Sequence, residues 1–428
     1  MAATDTITNA VAKFYVDSAD FNGIRLDELV RLVRDKLDVS EIEAVDTVAI
    51  LVREGQVSLT FASVFNPHIK ARPDLPTEEQ VAKLRGEPPC EICVYPAEAV
   101  VRSAVDVSQY DDRPFAKRLL LGEPQLTTVF FDLQVLDSYY SDPRYYYEFV
   151  DYQGRICILT DHYESQDVPK RDKVLLERFG MGYDPDRNRL VVVSLRDLAR
   201  LSAEHQQVWS TYARSDTHNK MAAEYYEASI QGTWPDSISV YEAILREQAL
   251  INEMVRLMGK PPLFRRTFET DWPRDFSVLL RPTLKGYFDF VHTMDKMLSD
   301  NINKDFFRDD IPLEEEITRK DGKVEVRQHA TVSLLDKWLR KTVRLGDDAP
   351  YEAIVGPLRR VRQLRQRPAH DLPQDAFDSK YHRDQEELVA EVHQGLTGLC
   401  LVLSTHPRVK AAGFRLPDWL EQGKVKSF

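Results

Sequence analysis

Towards the C-terminal end of the chain, apolar residues return every three or four positions in four successive stretches. That stride constrains the fold more than any other feature. From Phe276 to Ile302 the stripe runs through Leu280, Leu284, Tyr287, Val291, Met294 and Leu298. Ser333 to Val343 is a short amphipathic stretch carrying Leu334, Leu335, Trp338 and Leu339. Pro350 to about Arg367 predicts a third helix. Asp384 to Leu403 predicts a fourth, with Leu388, Val392, Leu396, Leu399 and Leu403 on one face. Four helices with one apolar face each, over about 130 residues, predict a bundle. Between the first two lies an acidic run, Glu314-Glu315-Glu316, and then Ile317 to Val326 around Asp321-Gly322. Asp-Gly between alternating residues predicts a β-hairpin inserted in the bundle.

The third helix ends in Arg365-Gln366-Arg367-Pro368-Ala369-His370. An imidazole titrates near neutrality and can take or give a proton. A guanidinium stays charged and can hold the charge that builds on phosphate oxygens. Together they suit attack on a phosphodiester. Five residues on an ideal helix rotate about 500°, which leaves Arg365 and His370 roughly 140° apart. Pro368 disturbs that geometry by disfavouring the helical conformation at Arg367, and Pro373 follows closely. The motif is therefore expected at a helix end, with His370 in a turn that folds back towards Arg365. The same residues would also serve as an ordinary basic helix terminus with an incidental histidine.

This segment resembles the motif of the HEPN superfamily, whose pattern is Arg, a polar residue, three residues, His. Arg365 matches the arginine, Gln366 the polar position (most often Asn in the family) and His370 the histidine. Ala369 before the histidine is also common there. The resemblance covers roughly residues 271 to 406. It implies a helical bundle and RNA cleavage without metal or other cofactor. His370 would act as general base on a ribose 2′-OH or as acid on the leaving 5′-oxygen. Arg365 would stabilise the phosphorane, and Gln366 would position the phosphate or the arginine. The products would be a 2′,3′-cyclic phosphate and a 5′-hydroxyl, and DNA would survive. HEPN domains work in pairs and this chain shows one such motif, so a homodimer, or a partner supplying the second half, is implied. The family's place in prokaryotic antiviral defence and toxin systems implies an effector restrained by its N-terminal region. Gln366 and Pro368 depart from the family pattern. They keep open a second reading, a HEPN-like fold retained as a non-catalytic dimerisation or ligand-sensing scaffold.

The 428 residues predict two to four domains. No apolar run approaches the ~20 residues of a membrane span. The opening residues Met1 to Asp5 show no secretory signal, and four cysteines make no disulfide framework, so a cytoplasmic setting is expected. The formal net charge is −12, which repels nucleic acid at long range. Any RNA contact must be local. Residues 351–370 hold Arg359, Arg360, Arg362, Arg365 and Arg367 against Glu352, a net +4. Arg359, Arg360, Arg362 and Arg367 are the expected RNA contacts, although arginines on a solvated helix face give the same pattern.

The architecture expected is multidomain α+β. Residues 1–66 read as a winged-helix-like module, with helices at Thr6–Tyr15, Leu26–Leu37 and Ser40–Glu54 and a strand at Gln56–Phe61. Ser40 and Glu43 form a capping-box pattern. The third helix carries Glu41, Glu43, Asp46 and Glu54 against Arg53, which disfavours DNA and favours a protein contact. Residues 67–193 read as a linker and a mixed α/β module of unknown fold. Strands are expected at Glu91–Tyr95, Thr127–Phe131, Tyr146–Val150, Arg155–Leu159 and Arg189–Val193, with turns at Gln153-Gly154 and Asp184–Asn188. Residues 194–270 read as a helical bridge, with Leu245, Ala249, Asn252 and Leu257 facing inward. Residues 271–428 form the bundle.

Three other groupings have bland explanations beside sharper ones. Cys90 and Cys93 are a lone Cys-x-x-Cys with no second pair for zinc, so packing is expected. The tyrosines at 139, 140, 145, 146 and 147 could stack RNA bases, but are more often sheet residues. Asp295, near His292, and Asp371, beside His370, could each orient an imidazole, or be solvated helix charges.

Overall fold

The computed structural model describes residues 3–149, 152–233, 236–318, 324–344, 346–366 and 374–426. Two compact units divide the chain: Met1–Tyr147 with Gln153–Thr233, and Glu148–Tyr152 with Trp234–Phe428. Both α and β structure are present, as expected for a multidomain α+β chain. Among the described residues no helix is long and apolar enough to cross a membrane.

The first unit opens with helix α1 (Ala3–Asp17), strand β1 (Ile24–Arg25), helices α2 (Leu26–Leu37) and α3 (Glu41–Arg53), and strand β2 (Val57–Phe61). Helix α3 starts as its sequence predicts. The Ser40 hydroxyl accepts from the Glu43 N–H at 3.2 Å, and the Glu43 carboxylate accepts from the Ser40 N–H at 2.8 Å. Helix α4 (Thr77–Gly86) follows, then strand β3 (Ile92–Pro96). The three strands form an antiparallel sheet in the order β1-β3-β2. Strand β3 was expected in the next module. It belongs here because it pairs with β1 and β2, packs on α1 and α2, and has all five residues buried, so the module runs on to Pro96 rather than ending at residue 66. Gln80 of α4 supports the sheet: its Oε1 accepts from the Leu59 N–H at 2.8 Å.

A seven-stranded sheet fills the rest of this unit. Its strands are β4 (Thr128–Asp132), β5 (Tyr145–Phe149), β6 (Gln153–Ile158), β7 (Leu175–Tyr183), β8 (Arg189–Ser194), β9 (Ala213–Arg214) and β10 (Lys220–Met221). The order is β5-β6-β7-β8-β4-β9, with β10 on β7. Gln153-Gly154 lies within β6, not in a turn, and the β6–β7 register shifts just after it, where glycine eases a bulge. Strand β7 was not expected, because Gly180 and Gly182 interrupt its pattern. The glycines are there for close approach. A Cβ on Gly180 would lie 2.3 Å from the Tyr225 ring. Trp209, from the segment expected to bridge, packs edge-on to Phe131 of β4 at 4.9 Å. Asp20 ties the helical module to this sheet region: it accepts from Arg196 at 2.6 Å and from Arg200 at 2.8 Å.

The second unit is the helical one. Its long helices are α5 (Val240–Leu257), α6 (Leu284–Met297), α7 (Thr331–Thr342), α8 (Ala349–Gln366) and α9 (Lys380–Ser404). Helix α8 lies against α6, α7 and α9, and α5 packs on α9. Gly395 of α9 lets the backbones close in, since a Cβ there would meet the Ile354 carbonyl at 3.0 Å. Helix α6 is shorter than its apolar stride suggested. Pro282 precedes it, and the Thr283 hydroxyl caps it by accepting from the Gly286 N–H at 3.0 Å. Helix α5 was expected in a bridge but belongs to this core. Its buried stripe runs through Ile244, Glu247, Gln248, Ile251, Met254 and Val255. The inward face is rotated from the expected one because two of its central residues are polar. Between α6 and α7, strands β11 (Glu314–Thr318) and β12 (Val324–Gln328) pair antiparallel, and all ten residues are exposed. The Asp321-Gly322 turn expected between them lies outside the described residues.

Candidate functional site

Helix α8 carries the arginines of interest down its length. Arg362 and Arg365, three residues apart, share a face and reach the same two carboxylates. Asp295, on α6, is fully buried. Its Oδ2 accepts from Arg362 Nη1 at 2.9 Å and from Arg365 Nη1 at 2.8 Å. Asp300, just beyond α6, accepts from Arg362 Nη1 at 2.5 Å and Arg365 Nη1 at 3.3 Å. Burial works against the charge on Arg362, but its bonds to Asp300 and the nearby Asp295 outweigh burial and raise its pKa above the ordinary arginine value.

In this arrangement each guanidinium is anchored through one nitrogen. Of its five N–H donors, those on Nε and Nη2 make no hydrogen bond to a described residue. An arginine fixed at one corner presents the opposite edge to a phosphate without having to be ordered first. Asp295 was a candidate to orient an imidazole. The structure gives it to two guanidiniums, and no hydrogen bond joins it to the exposed His292.

The other arginines of the patch are placed differently. Arg359 bonds Glu352 at 2.6 Å and Asp336 of α7 at 2.7 Å. Arg360 pairs with Glu391 of α9. Four guanidiniums thus face five carboxylates, and the +4 counted along the sequence is not a free basic surface. Arg359 and Arg360 hold α8 to its neighbours. The sequence count missed this because Asp295, Asp300, Asp336 and Glu391 come from outside the counted window. Gln366 is exposed at the last turn of α8. Arg367 and His370, with Asp371, lie outside the described residues.

Beside this site is a cleft of about 560 Å³. Asp300, which takes both arginines, is one of its lining residues, together with Arg265, Arg266, Phe268, Lys296 and Asn301. Sequence reasoning had singled out none of the cations here, since they sit singly between elements with no spacing pattern.

The remaining groupings are structural. Cys93 is buried on β3, where burial pushes its thiol up to about 12, far from a redox cysteine. Cys90 is exposed. Tyr139, Tyr145 and Tyr147 are buried, and the Tyr139 hydroxyl sits between His205 Nδ1 at 2.5 Å and the Trp209 indole N–H at 2.9 Å. These three are core residues and not open to base stacking, while Tyr140 and Tyr146 are half-buried. Among the described residues, no group of three His, Cys, Asp or Glu side chains could hold a metal ion. Comparison of the chain with protein-family models, with curated proteins and with solved structures found no match.

Proposed function

We propose that this chain is an endoribonuclease with a HEPN-like C-terminal bundle, acting through attack of a ribose 2′-OH on the adjacent phosphate. Arg365 holds the charge of the phosphorane. His370 removes the 2′-OH proton or supplies one to the leaving 5′-oxygen, and Gln366 positions the phosphate. The products are a 2′,3′-cyclic phosphate and a 5′-hydroxyl. Imidazole and guanidinium suffice for this reaction, so it needs no metal. The observation that carries the reading is the anchoring of Arg365. A fully buried aspartate and a second carboxylate fix it by Nη1, its Nε and Nη2 bond no described residue, and a cleft lined by Asp300 lies alongside.

The chain carries one motif, and we assign it a homodimer in which two motifs act together. The exposed hairpin suits a second copy. Strand β12 set antiparallel to itself about Val326 places Glu325 opposite Arg327 twice, whereas β11 set the same way puts Glu316 against Glu316 and forms no ion pair. A two-stranded hairpin exposed on both faces is marginal alone, which also favours a partner.

Three helices interleaved with strands that pair in the order β1-β3-β2 support a winged-helix-like N-terminal module. Its third helix presents Ile42, Asp46 and Ile50 along one exposed stripe, a surface for protein rather than for DNA. This region is where a trigger or partner would restrain the nuclease, as in an antiviral-defence or toxin effector.

The test is cleavage of mixed cellular RNA by the purified protein in EDTA, beside His370→Ala and Arg365→Ala. Cyclic-phosphate ends with the parent, and their loss in both variants, are expected. Cleavage that survives both changes removes the site assignment. A second reading, a non-catalytic dimerisation scaffold, draws on the pairing of Arg359 and Arg360. It would be favoured by a stable dimer that cleaves no RNA with or without cell extract.

A further inference from the structure

We propose that the cleft bounded by Arg265, Arg266, Lys296 and Asp300 binds the sugar–phosphate chain of single-stranded RNA and leads it past Arg365. The direction of the chain rests on the ribonuclease reading of Arg365. The binding itself does not.

Two elements build the cleft, and both are fixed. Lys296 stands on α6. Arg265 and Arg266 stand on the connection after α5, strapped to the end of α6 by Asn301. The Arg265 N–H donates to the Asn301 carbonyl at 2.9 Å, the Arg266 N–H to Asn301 Oδ1 at 3.2 Å, and Asn301 Nδ2 to the Arg266 carbonyl at 2.8 Å. Asn301 is itself buried. One turn further, the Asn303 N–H donates to the Leu263 carbonyl at 2.7 Å. The three cations therefore sit on a braced backbone, not on a free loop.

Their charge balance differs from that of α8. Arg265 and Lys296 are exposed and make no ion pair with a described residue. Arg266 pairs with Asp271 at 3.0 Å, and its guanidinium lies 4.9 Å from the centre of the Phe268 ring. The other lining carboxylate, Asp300, is already compensated by Arg362 and Arg365. Two uncompensated cations and a third near an apolar wall of Phe268 and Met297 are the chemistry of a groove that tracks a backbone. At about 560 Å³ the cleft is the size of a small-molecule site, enough for a short extended strand. A duplex would meet only its rim. Asp300, on the wall of the cleft, also accepts from Arg365 Nη1 at 3.3 Å, so a strand in the cleft leads towards that arginine.

Phosphate contacts do not read the 2′-OH, so binding and cleavage separate by sugar. The experiment measures fluorescence anisotropy of a labelled single-stranded 12-mer, as RNA and as DNA, against the full chain carrying His370→Ala. Salt is varied, and Arg265→Gln/Lys296→Gln is compared in the same background. RNA and DNA are expected to bind alike. Two phosphate contacts at a slope of about 0.7 each should weaken binding roughly 25-fold at 0.1 M salt in the double variant and flatten log K against log salt by about 1.4. Unchanged thermal melting would show the variant is folded. Equal affinity and slope in parent and variant, or no binding by the parent at low salt, overturns the proposal. Loss of binding in the double variant, beside a chain with His370 intact that binds but never cleaves RNA, leaves the cleft standing and removes the ribonuclease reading.

Discussion

Replacing Asp295 by asparagine tests whether the arginine pair is built as described. The carboxylate is fully buried, and one oxygen takes two guanidiniums at 2.9 and 2.8 Å. Its other oxygen, Oδ1, is buried without a hydrogen-bond partner among the described residues. Removing one side of a buried ion pair costs about 3–5 kcal/mol. Two features lower that figure here. The arginine side chains are 35% and 31% exposed, and both keep Asp300. An asparagine oxygen can still accept from both, but its NH₂ would replace an oxygen that has no donor nearby, so a buried donor is left without an acceptor, costing about 1–3 kcal/mol. The net expectation is a loss of about 2 kcal/mol from the helical unit. Urea unfolding followed by tryptophan emission reports it, since four of the five tryptophans lie in that unit. A cycle with Arg365→Met should show coupling of about 1 kcal/mol between the two sites. A loss under about 0.5 kcal/mol, with coupling indistinguishable from zero, would refute the claim that Asp295 holds Arg365.

Asp20 should matter comparably in the first unit. It is 8% exposed between Arg196 and Arg200, whose side chains are 28% and 39% exposed, so Asp20→Ala should destabilise by about 2 kcal/mol in urea titrations. Burial raises its carboxyl pKa, but the bonds from Arg200 and Arg196 outweigh burial and hold it below the ordinary carboxylate value. Its contribution is thus complete above the unfolded value and is lost as pH falls through the folded one. Acid titration of Asp20→Asn should show a shallower loss below about pH 4 than the parent. Glu247 has the opposite sign. Burial pushes its carboxyl up despite bonds from His393 at 3.2 Å and Thr397 at 2.5 Å. Stability from this group is full at low pH and lost as pH rises through the shifted value. Glu247→Gln should therefore gain about 1 kcal/mol on the parent at pH 8 and little at pH 5, read as the difference in Tm. A gain that does not change with pH would show that the carboxylate carries no burial penalty.

Features determined within one turn or one stride were legible in the sequence. Ser40 and Glu43 form the capping box they predict, and the apolar stripes of α6 to α9 lie on buried faces. What escaped reading depends on partners distant along the chain. Strand β7 hid behind Gly180 and Gly182, because glycine normally marks a break, while here Tyr225 and Val192 need the space. Helix α5 read as a bridge with Leu245, Ala249, Asn252 and Leu257 inward, whereas Glu247 and Gln248 are buried in the core. The first is buried because His393 and Thr397, some 150 residues on, meet it. The arginine site followed the same rule. Arg365 was legible by chemical type, but Asp295, 70 residues earlier, read as either an orienter of an imidazole or a solvated helix charge, not as its partner. Ion pairs between helices leave no spacing in a sequence, so a count of charges along one helix overstates what solvent sees.

That difference bears on how a chain of net charge −12 could handle RNA at all. At physiological salt, exposed charges more than about 8 Å apart are largely screened. The bulk of the acidic chain therefore lowers the rate at which RNA arrives but says little about its hold once docked. Within that distance the composition is different. Arg265 and Lys296 make no ion pair with a described residue, and Arg362 and Arg365 are neutralised while their Nε and Nη2 donors bond no described residue. Neutralised, directional donors bind a phosphate that is already in place better than they attract one from solution. In the proposed site the cleft cations would supply attraction over a short range, and the anchored arginines geometry. A site divided in this way should bind RNA weakly and depend steeply on salt through Arg265 and Lys296. It should lose rate rather than affinity when Arg365 is shortened to lysine, which keeps the charge but not the fork. An equal fall in both would place Arg365 among the docking contacts instead.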